Sequence, residues 1–262
     1  MSEAVARAAR ERSEHERERQ PRTARRSPPA RAGDDPAAAP EAQARPEVVV
    51  FVAGTGTEVG KTWATAELTR VLRDRECVVA ACKPVQSHDP DEAGPTDAAA
   101  LAAATGQHPD DVCPPEHTYP VPLAPPMAAR KLGRVCPTVD ELAAGCRFGA
   151  TVEVGLVEGV GGLYSPLASD GHNLDLITRI EPDLVIMVAS AALGGIHDSM
   201  ACTLPLSGWC HAVFLNRFDP RIEVHALNVR WLRDAGLAVA TNLSELADIV
   251  CTTLRGQSCG DA

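Results

Sequence analysis

The stretch Val48-Val49-Val50-Phe51-Val52-Ala53-Gly54-Thr55-Gly56-Thr57-Glu58-Val59-Gly60-Lys61-Thr62 decides the fold. Its first six residues are apolar without alternation, which predicts a strand at 48–53 buried on both faces, as in the middle of a parallel sheet. Residues 62–74 then carry apolar side chains at helical spacing. Between the two, glycines allow a tight turn whose N–H groups converge. The helix start adds a partial positive charge, so phosphate oxygens can be cradled there. Lys61 is spaced to reach the β- and γ-phosphates of a nucleotide, and Thr62 to offer its hydroxyl to Mg²⁺. Thr55 holds the position five before Gly60, so the first glycine, Gly54, falls one residue earlier than the general phosphate-loop pattern. A simple Gly/Thr turn is the alternative, and lysine usage speaks against it. Only Lys61, Lys83 and Lys131 occur in the chain, which otherwise uses arginine. A lysine kept at this position suggests a compact point charge.

Beyond this stretch, short β-branched runs alternate with helical ones. The pattern predicts strands at 77–82, 152–157, 184–189 and 212–215. Helices are expected at 97–105 and near 139–148, 173–180 and 196–206, followed by a closing helix, strand and helix. The implied fold class is α/β: a single phosphate-loop NTPase-like domain with a mainly parallel sheet and helices on both faces. Proline and histidine crowd residues 107–126, which read as a long loop lining a site. No internal repeat occurs.

The 262 residues include 35 Asp and Glu against 25 Lys and Arg, with 45% hydrophobic and only 3% aromatic residues. The core is therefore built from Ala, Val, Leu and Ile, and the acidic balance argues against a nucleic-acid partner. No apolar run is long enough for a membrane helix, and the N-terminus carries charges where a signal peptide has its apolar stretch, so a cytoplasmic protein is expected. Nine cysteines without a Cys-x-x-Cys pair suggest neither a zinc ribbon nor a disulfide framework. Residues 1–46 hold ten Arg and eight Asp or Glu, no aromatic residue, and only Met1 and Val5 as larger apolar side chains. They read as a disordered tail, and residues 47–262 as the folded domain. Taking the tail's +2 from the total of −10 leaves −12 on the domain.

Lys83 follows the second predicted strand and projects from the sheet edge that carries the phosphate loop. It is either a surface lysine or a second cation converging on the same anion. Asp97 opens a helix, where capping and metal binding are both open. Glu158 ends an apolar strand before Gly159-Val160-Gly161-Gly162, where nucleotide-using folds hold Mg²⁺. The glycine run after Glu158 lets backbone amides approach a ligand or simply turns the chain. Gly194-Gly195 offers a second helix start suited to an anion.

Gly54 to Thr62, Lys83-Pro84-Val85 with Ser87, Asp97 in Thr-Asp-Ala, and Val157-Glu158-Gly159-Val160-Gly161-Gly162 occur in an order and spacing that resemble dethiobiotin synthetase, over about residues 48–245. The resemblance implies ATP- and Mg²⁺-dependent ring closure of 7,8-diaminopelargonate with CO₂ or bicarbonate, giving dethiobiotin, ADP and phosphate. The chemistry falls by resemblance to Lys61, Lys83 and Thr57. Nucleotide binding falls to Gly54, Thr55, Gly56, Glu58, Val59, Gly60, Lys61, Thr62, Glu158, Gly159, Gly161 and Asn216, the last as an adenine contact. Mg²⁺ falls to Thr62, Asp97 and Glu158. The substrate would meet Thr57, Glu58, Lys83 and Ser87 at its diamine end, residues 123–127 along its chain, and Gly194, Gly195, Ile196 and His197 of a second subunit at its carboxylate. A homodimer with its site at the subunit interface is implied. His88 stands where the family usually has a small residue.

Three other readings compete. One is a related ligase acting on another amine or diamine. Another is a phosphate-loop synthetase with a glutaminase domain, for which the chain has no room. The third is a regulatory or partitioning ATPase, which needs a partner surface that the charge of −12 does not favour as a basic one.

Overall fold

The computed structural model describes residues 44–256. The tail expected over 1–46 therefore lies, up to residue 43, outside the described residues. Arg45 and Pro46 belong to the folded part: Pro46 is buried, and Arg45 donates to the Asp183 carboxylate at 3.0 Å and to the Glu181 carbonyl at 2.8 Å.

The chain runs β1 (Val48–Gly54), α1 (Lys61–Asp74), β2 (Val79–Cys82), β3 (Gln86–Ser87), α2 (Asp97–Thr105), α3 (Pro109–Val112), β4 (Thr118–Tyr119), α4 (Pro125–Lys131), α5 (Val139–Gly145), β5 (Val154–Glu158), α6 (Asn173–Ile180), β6 (Leu184–Ser190), α7 (Gly195–Thr203), β7 (His211–Asn216), α8 (Glu223–Asp234), β8 (Ala238–Ala240) and α9 (Leu243–Leu254). Six strands form one parallel sheet in the order β2-β5-β1-β6-β7-β8, with β1 in the middle paired to β5 and β6. β3 and β4 form a separate parallel pair.

The unalternating apolar run of β1 has its cause in this position. Val49, Phe51 and Ala53 enter the core on one face, with Leu142 of α5, Leu176 and Ile177 of α6 and Leu232 of α8. Val48, Val50 and Val52 enter the core on the other, with Leu68 and Leu72 of α1 and Leu246 and Val250 of α9. A strand covered twice has no polar face to show. Beside β2, Leu101 and Ala102 of α2 pack on Ala81 with Val112 and Cys113.

Five expectations need correction. Residues 107–126 are not one loop: they hold α3, a 3₁₀ turn at Pro115–His117, β4 and the first turn of α4. β4 exists because Thr118 and Tyr119 find Gln86 and Ser87 as partners, a non-local pairing that no local pattern announces. β2 begins at Val79 rather than Cys77, and β5 at Val154 rather than Val152. The helix expected to 148 ends at Gly145, and the one expected over 196–206 ends at Thr203 before a 3₁₀ turn that carries a proline.

Gly155 lies inside β5, where a Cβ would meet the Phe148 ring at 2.8 Å and the Pro46 ring at 2.9 Å. Gly155→Ala is expected to destabilise the fold by about 1–3 kcal/mol through overpacking, read as a lower urea midpoint at unchanged m-value.

Candidate active site

The loop between β1 and α1 is held from below and from the side. Thr55 N–H donates to the Val188 carbonyl of β6 at 3.0 Å, and the Asn216 side chain at the end of β7 donates to the Val59 carbonyl at 2.9 Å. Gly60 has φ 91°, and a Cβ there would run into the Asn216 amide, so only glycine fits. Glu58 takes φ 59°, a left-handed conformation costly for a residue with a side chain and one that concentrates at functional turns. α1 starts on Gly60 with no side-chain cap and no acidic residue in its first turn. Its leading N–H donors are thereby left to the loop concavity, the arrangement that suits an anion.

The carboxyl ends of β2 and β5 bring the remaining groups to this loop. Glu158, the last residue of β5, is fully buried. Its Oε1 accepts from the Lys83 ammonium at 2.6 Å and from the Thr62 hydroxyl at 2.8 Å, and its Oε2 accepts from Thr65 at 2.7 Å. Lys83 is 1% exposed and also donates to Asp97 Oδ2 at 2.8 Å and to the Gly159 carbonyl at 3.0 Å. Thr62 Oγ1 lies 2.8 Å from Asp97 Oδ1 as well. Asp97 is free to turn inward because the cap of α2 is Thr96, whose hydroxyl accepts the Ala99 N–H. Lys61 Nζ donates to the Gly56 carbonyl at 3.0 Å, across the turn of the loop.

Charge follows from this packing. Burial, reinforced by the nearby Lys83 ammonium, pushes the Lys61 ammonium down to about 8. Burial would lower Lys83 too, yet the Glu158 and Asp97 carboxylates more than reverse this and raise it, so it is fully charged. Burial would raise Asp97, but Lys83 and the Thr62 hydroxyl bring it below the usual carboxylate range. Among the described residues no group of three His, Cys, Asp or Glu side chains is arranged to hold a metal. The oxygen donors gathered here are two carboxylates and a hydroxyl.

The glycine run after Glu158 lies against the phosphate loop. A Cβ on Gly162 would be 3.3 Å from the Thr55 carbonyl oxygen, and one on Gly161, at φ 52°, 3.5 Å from the Thr57 methyl. Gly159 is pinned by its N–H to the Val52 carbonyl at 3.0 Å. Thr57 and Glu58 are exposed on the loop. Ser87 stands on β3, and its hydroxyl and the neighbouring His88 Nδ1 are buried without a hydrogen-bond partner among the described residues. Gly194, Gly195, Ile196 and His197 occupy the start of α7 after β6, on the same sheet edge, with Gly194 and His197 exposed. The Asn216 amide is engaged at both ends, since its Oδ1 accepts the Arg217 N–H at 2.9 Å while its nitrogen holds Val59. A cavity of about 380 Å³ lined by Pro46, Val49, Phe148 and Ile180 belongs to the opposite, amino-terminal edge of the strands.

Sequence reasoning passed over three residues that hold this arrangement. Thr65 lies one helical turn after Thr62 and carries Glu158. Buried Gln86 accepts the Ala98 N–H at 3.0 Å and donates to Thr118 at 3.0 Å, which ties the start of α2 to the β3-β4 pair. Buried Asn173 accepts the Val160 N–H at 3.0 Å and donates to the Val160 and Gly162 carbonyls at 2.6 Å each, bracing the glycine run. The only sequence signal for Thr65 is a polar residue on the core-facing stripe of an amphipathic helix. Thr65→Val keeps the shape but leaves a buried carboxylate oxygen without its donor, and is expected to cost about 1–3 kcal/mol. Thr65→Ser should recover most of that loss in chemical denaturation.

Comparison with known proteins places the chain in a family. An AAA domain family model matches residues 49–207. The ATP-dependent dethiobiotin synthetase BioD of Caulobacter vibrioides is 41% identical over 152 residues, 55% of this chain and 67% of that relative. The same enzyme of Frankia casuarinae is 33% identical over 213 residues, 79% of this chain and 82% of the relative. That of Xanthomonas axonopodis pv. citri is 32% identical over 189 residues, covering 70% and 84%. The chain belongs to the ATP-dependent dethiobiotin synthetase family.

Proposed function

We propose that this protein closes a ureido ring on 7,8-diaminopelargonate with CO₂ and ATP, yielding dethiobiotin, ADP and phosphate in biotin biosynthesis, with Mg²⁺ as cofactor. The observation that carries the reading is the convergence of Lys61, Lys83, Thr62, Asp97 and Glu158 beside an uncapped helix start on one sheet edge. One amine of the diamine takes up CO₂ and loses a proton to become a carbamate. The γ-phosphoryl passes from ATP to the carbamate oxygen, releasing ADP. The second amine attacks the carbonyl carbon of that mixed anhydride, the bond to phosphate breaks, and the ring closes as phosphate and a proton leave.

Residues of the chain act by position and charge. The loop Gly54, Thr55, Gly56, Glu58, Val59 and Gly60 turns backbone N–H groups toward the triphosphate, and Lys61 neutralises charge on the γ-phosphoryl. Lys83 does the same for the carbamate. Thr57, Glu58 and Ser87 face the diamine end, where the buried Ser87 hydroxyl still lacks a hydrogen-bond partner. Gly159 and Gly161 bound the nucleotide opposite the loop, and Asn216 bounds it at the base end. Thr62, Asp97 and Glu158 fit Mg²⁺, a hard cation that takes one or two carboxylates, a hydroxyl and substrate phosphates. The ion would supply charge neutralisation at the triphosphate.

A homodimer is part of the proposal, with Gly194, Gly195, Ile196 and His197 of the second subunit receiving the substrate carboxylate at a helix start. So are a cytoplasmic location and a division in which residues 47–262 carry the activity and 1–46 do not. Among the described residues no helix is long and apolar enough to cross a membrane. His88, with its unpartnered Nδ1 beside Ser87, favours a second reading in which the diamine differs in length or substitution.

The direct test supplies ATP, Mg²⁺, bicarbonate and diamines of graded length. Diamine-dependent ADP release with a cyclic urea product is expected to be fastest for 7,8-diaminopelargonate. Phosphate release indifferent to every diamine would instead support a regulatory ATPase. Lys61→Ala is expected to lose nucleotide affinity and turnover together. Lys83→Ala should lower kcat by about 10²-fold or more while the dissociation constant for ATP changes far less. Removal of residues 1–43, which keeps Arg45 and Pro46, should leave kcat within about twofold.

A further inference from the structure

The Lys83 ammonium has three protons and three acceptors: Glu158 Oε1 at 2.6 Å, Asp97 Oδ2 at 2.8 Å and the Gly159 carbonyl at 3.0 Å. It therefore bridges the same two carboxylates that the proposed function gives to Mg²⁺, and any competition between the two cations rests on that reading. The Thr62 hydroxyl oxygen lies 2.8 Å from both Asp97 Oδ1 and Glu158 Oε1, and its single proton serves one of them at a time. Mg²⁺ demands oxygens at about 2.1 Å. A metal on Glu158 Oε1 would then stand no more than about 4.7 Å from Lys83 Nζ, the sum of that bond and the 2.6 Å ion pair.

Two like charges so close in a buried site repel strongly. Asp97 and Glu158 bring −2, and Lys61 and Lys83, the two lysines whose charge acts on them, bring +2 when both are protonated, so the cluster is already neutral. A dication added alone would leave a net +2 on the cluster.

We propose that Lys83 is a tethered cation that competes with Mg²⁺ for Asp97 and Glu158, so that the metal enters only as substrate anions draw the ammonium aside. A carbamate or γ-phosphoryl oxygen offers Lys83 the replacement partner. The lysine that serves the carbamate thereby also reports its presence to the metal site. Metal and anion binding become coupled, and by linkage each strengthens the other. The device keeps free cellular Mg²⁺ from occupying the carboxylates ahead of substrate.

The experiment is a Mn²⁺ titration of the full chain without nucleotide, followed by the electron paramagnetic resonance signal of the free ion. The wild-type protein should bind Mn²⁺ weakly. Lys83→Met and Lys83→Gln, with folding checked by circular dichroism melting, should bind it roughly tenfold tighter or more. Lys83→Arg, which keeps the charge, should stay weak, and adding Glu158→Gln to Lys83→Met should return binding to the wild-type level. Equal affinity of wild type and both neutral variants overturns the competition while leaving the metal assignment intact. So does tight Mn²⁺ binding by the wild type that Glu158→Gln abolishes, an arm that needs no Lys83 variant to fold. Tight binding in Lys83→Met that survives Glu158→Gln would overturn the metal assignment itself, and the competition with it.

Discussion

A buried carboxylate, Glu158, with both oxygens satisfied, is the constraint on which the rest of the site depends. Ionised and isolated in a sheet edge it would be prohibitively costly. It is tolerated because Lys83, Thr62 and Thr65 all donate to it. Those donors come from β2's end and from two successive turns of α1, so satisfying one side chain fixes the relative positions of a strand end, a helix start and the loop between β1 and α1. Ion pairs of this kind contribute little net stability but leave few alternative arrangements open, since breaking any member strands a charge.

The sheet order makes the gathering possible. With β1 between β5 and β6 and β2 outside β5, the carboxyl ends of β1, β5 and β2 are consecutive neighbours. Parallel strands all present their carboxyl ends to one edge, so the phosphate loop, Glu158 and Lys83 arrive side by side without any long excursion of chain. Apolar packing on both faces of β1 supplies the rigidity that such short ion-pair distances require.

Opposed effects act on the two lysines although they are close together. Lys61 is buried next to another ammonium and donates to a backbone carbonyl rather than to a carboxylate, so its charge is weakened. Lys83 is buried more deeply but sits between two carboxylates, so its charge is secured. A triphosphate arriving at the loop would restore Lys61 by supplying an anion in direct contact with it, whereas Lys83 must exchange one set of anions for another. This difference in electrostatic neighbourhood underlies the separate roles proposed for them.

What the sequence determined by itself is whatever depends on residues near one another in the chain. The strand at Val48–Gly54, the turn of glycines before Lys61 and the helix at Asp97–Thr105 follow from apolar periodicity, φ-permissive residues and capping chemistry, all of which act within a few positions. The candidacy of Lys61, Thr62 and Glu158 came from the same local grammar of strand end and glycine run. The local Thr96 cap leaves the Asp97 carboxylate free, and tertiary structure decided that it would turn to Lys83 and Thr62, 14 and 35 positions away. It decided too that Gln86 and Thr118 would build a second small sheet inside an apparent loop, and that Thr65 would hold Glu158 across 93 residues of chain. The reason in each case is that a polar side chain in the interior must meet a partner. Which partner it meets depends on how distant segments pack, and no local pattern of residues encodes that.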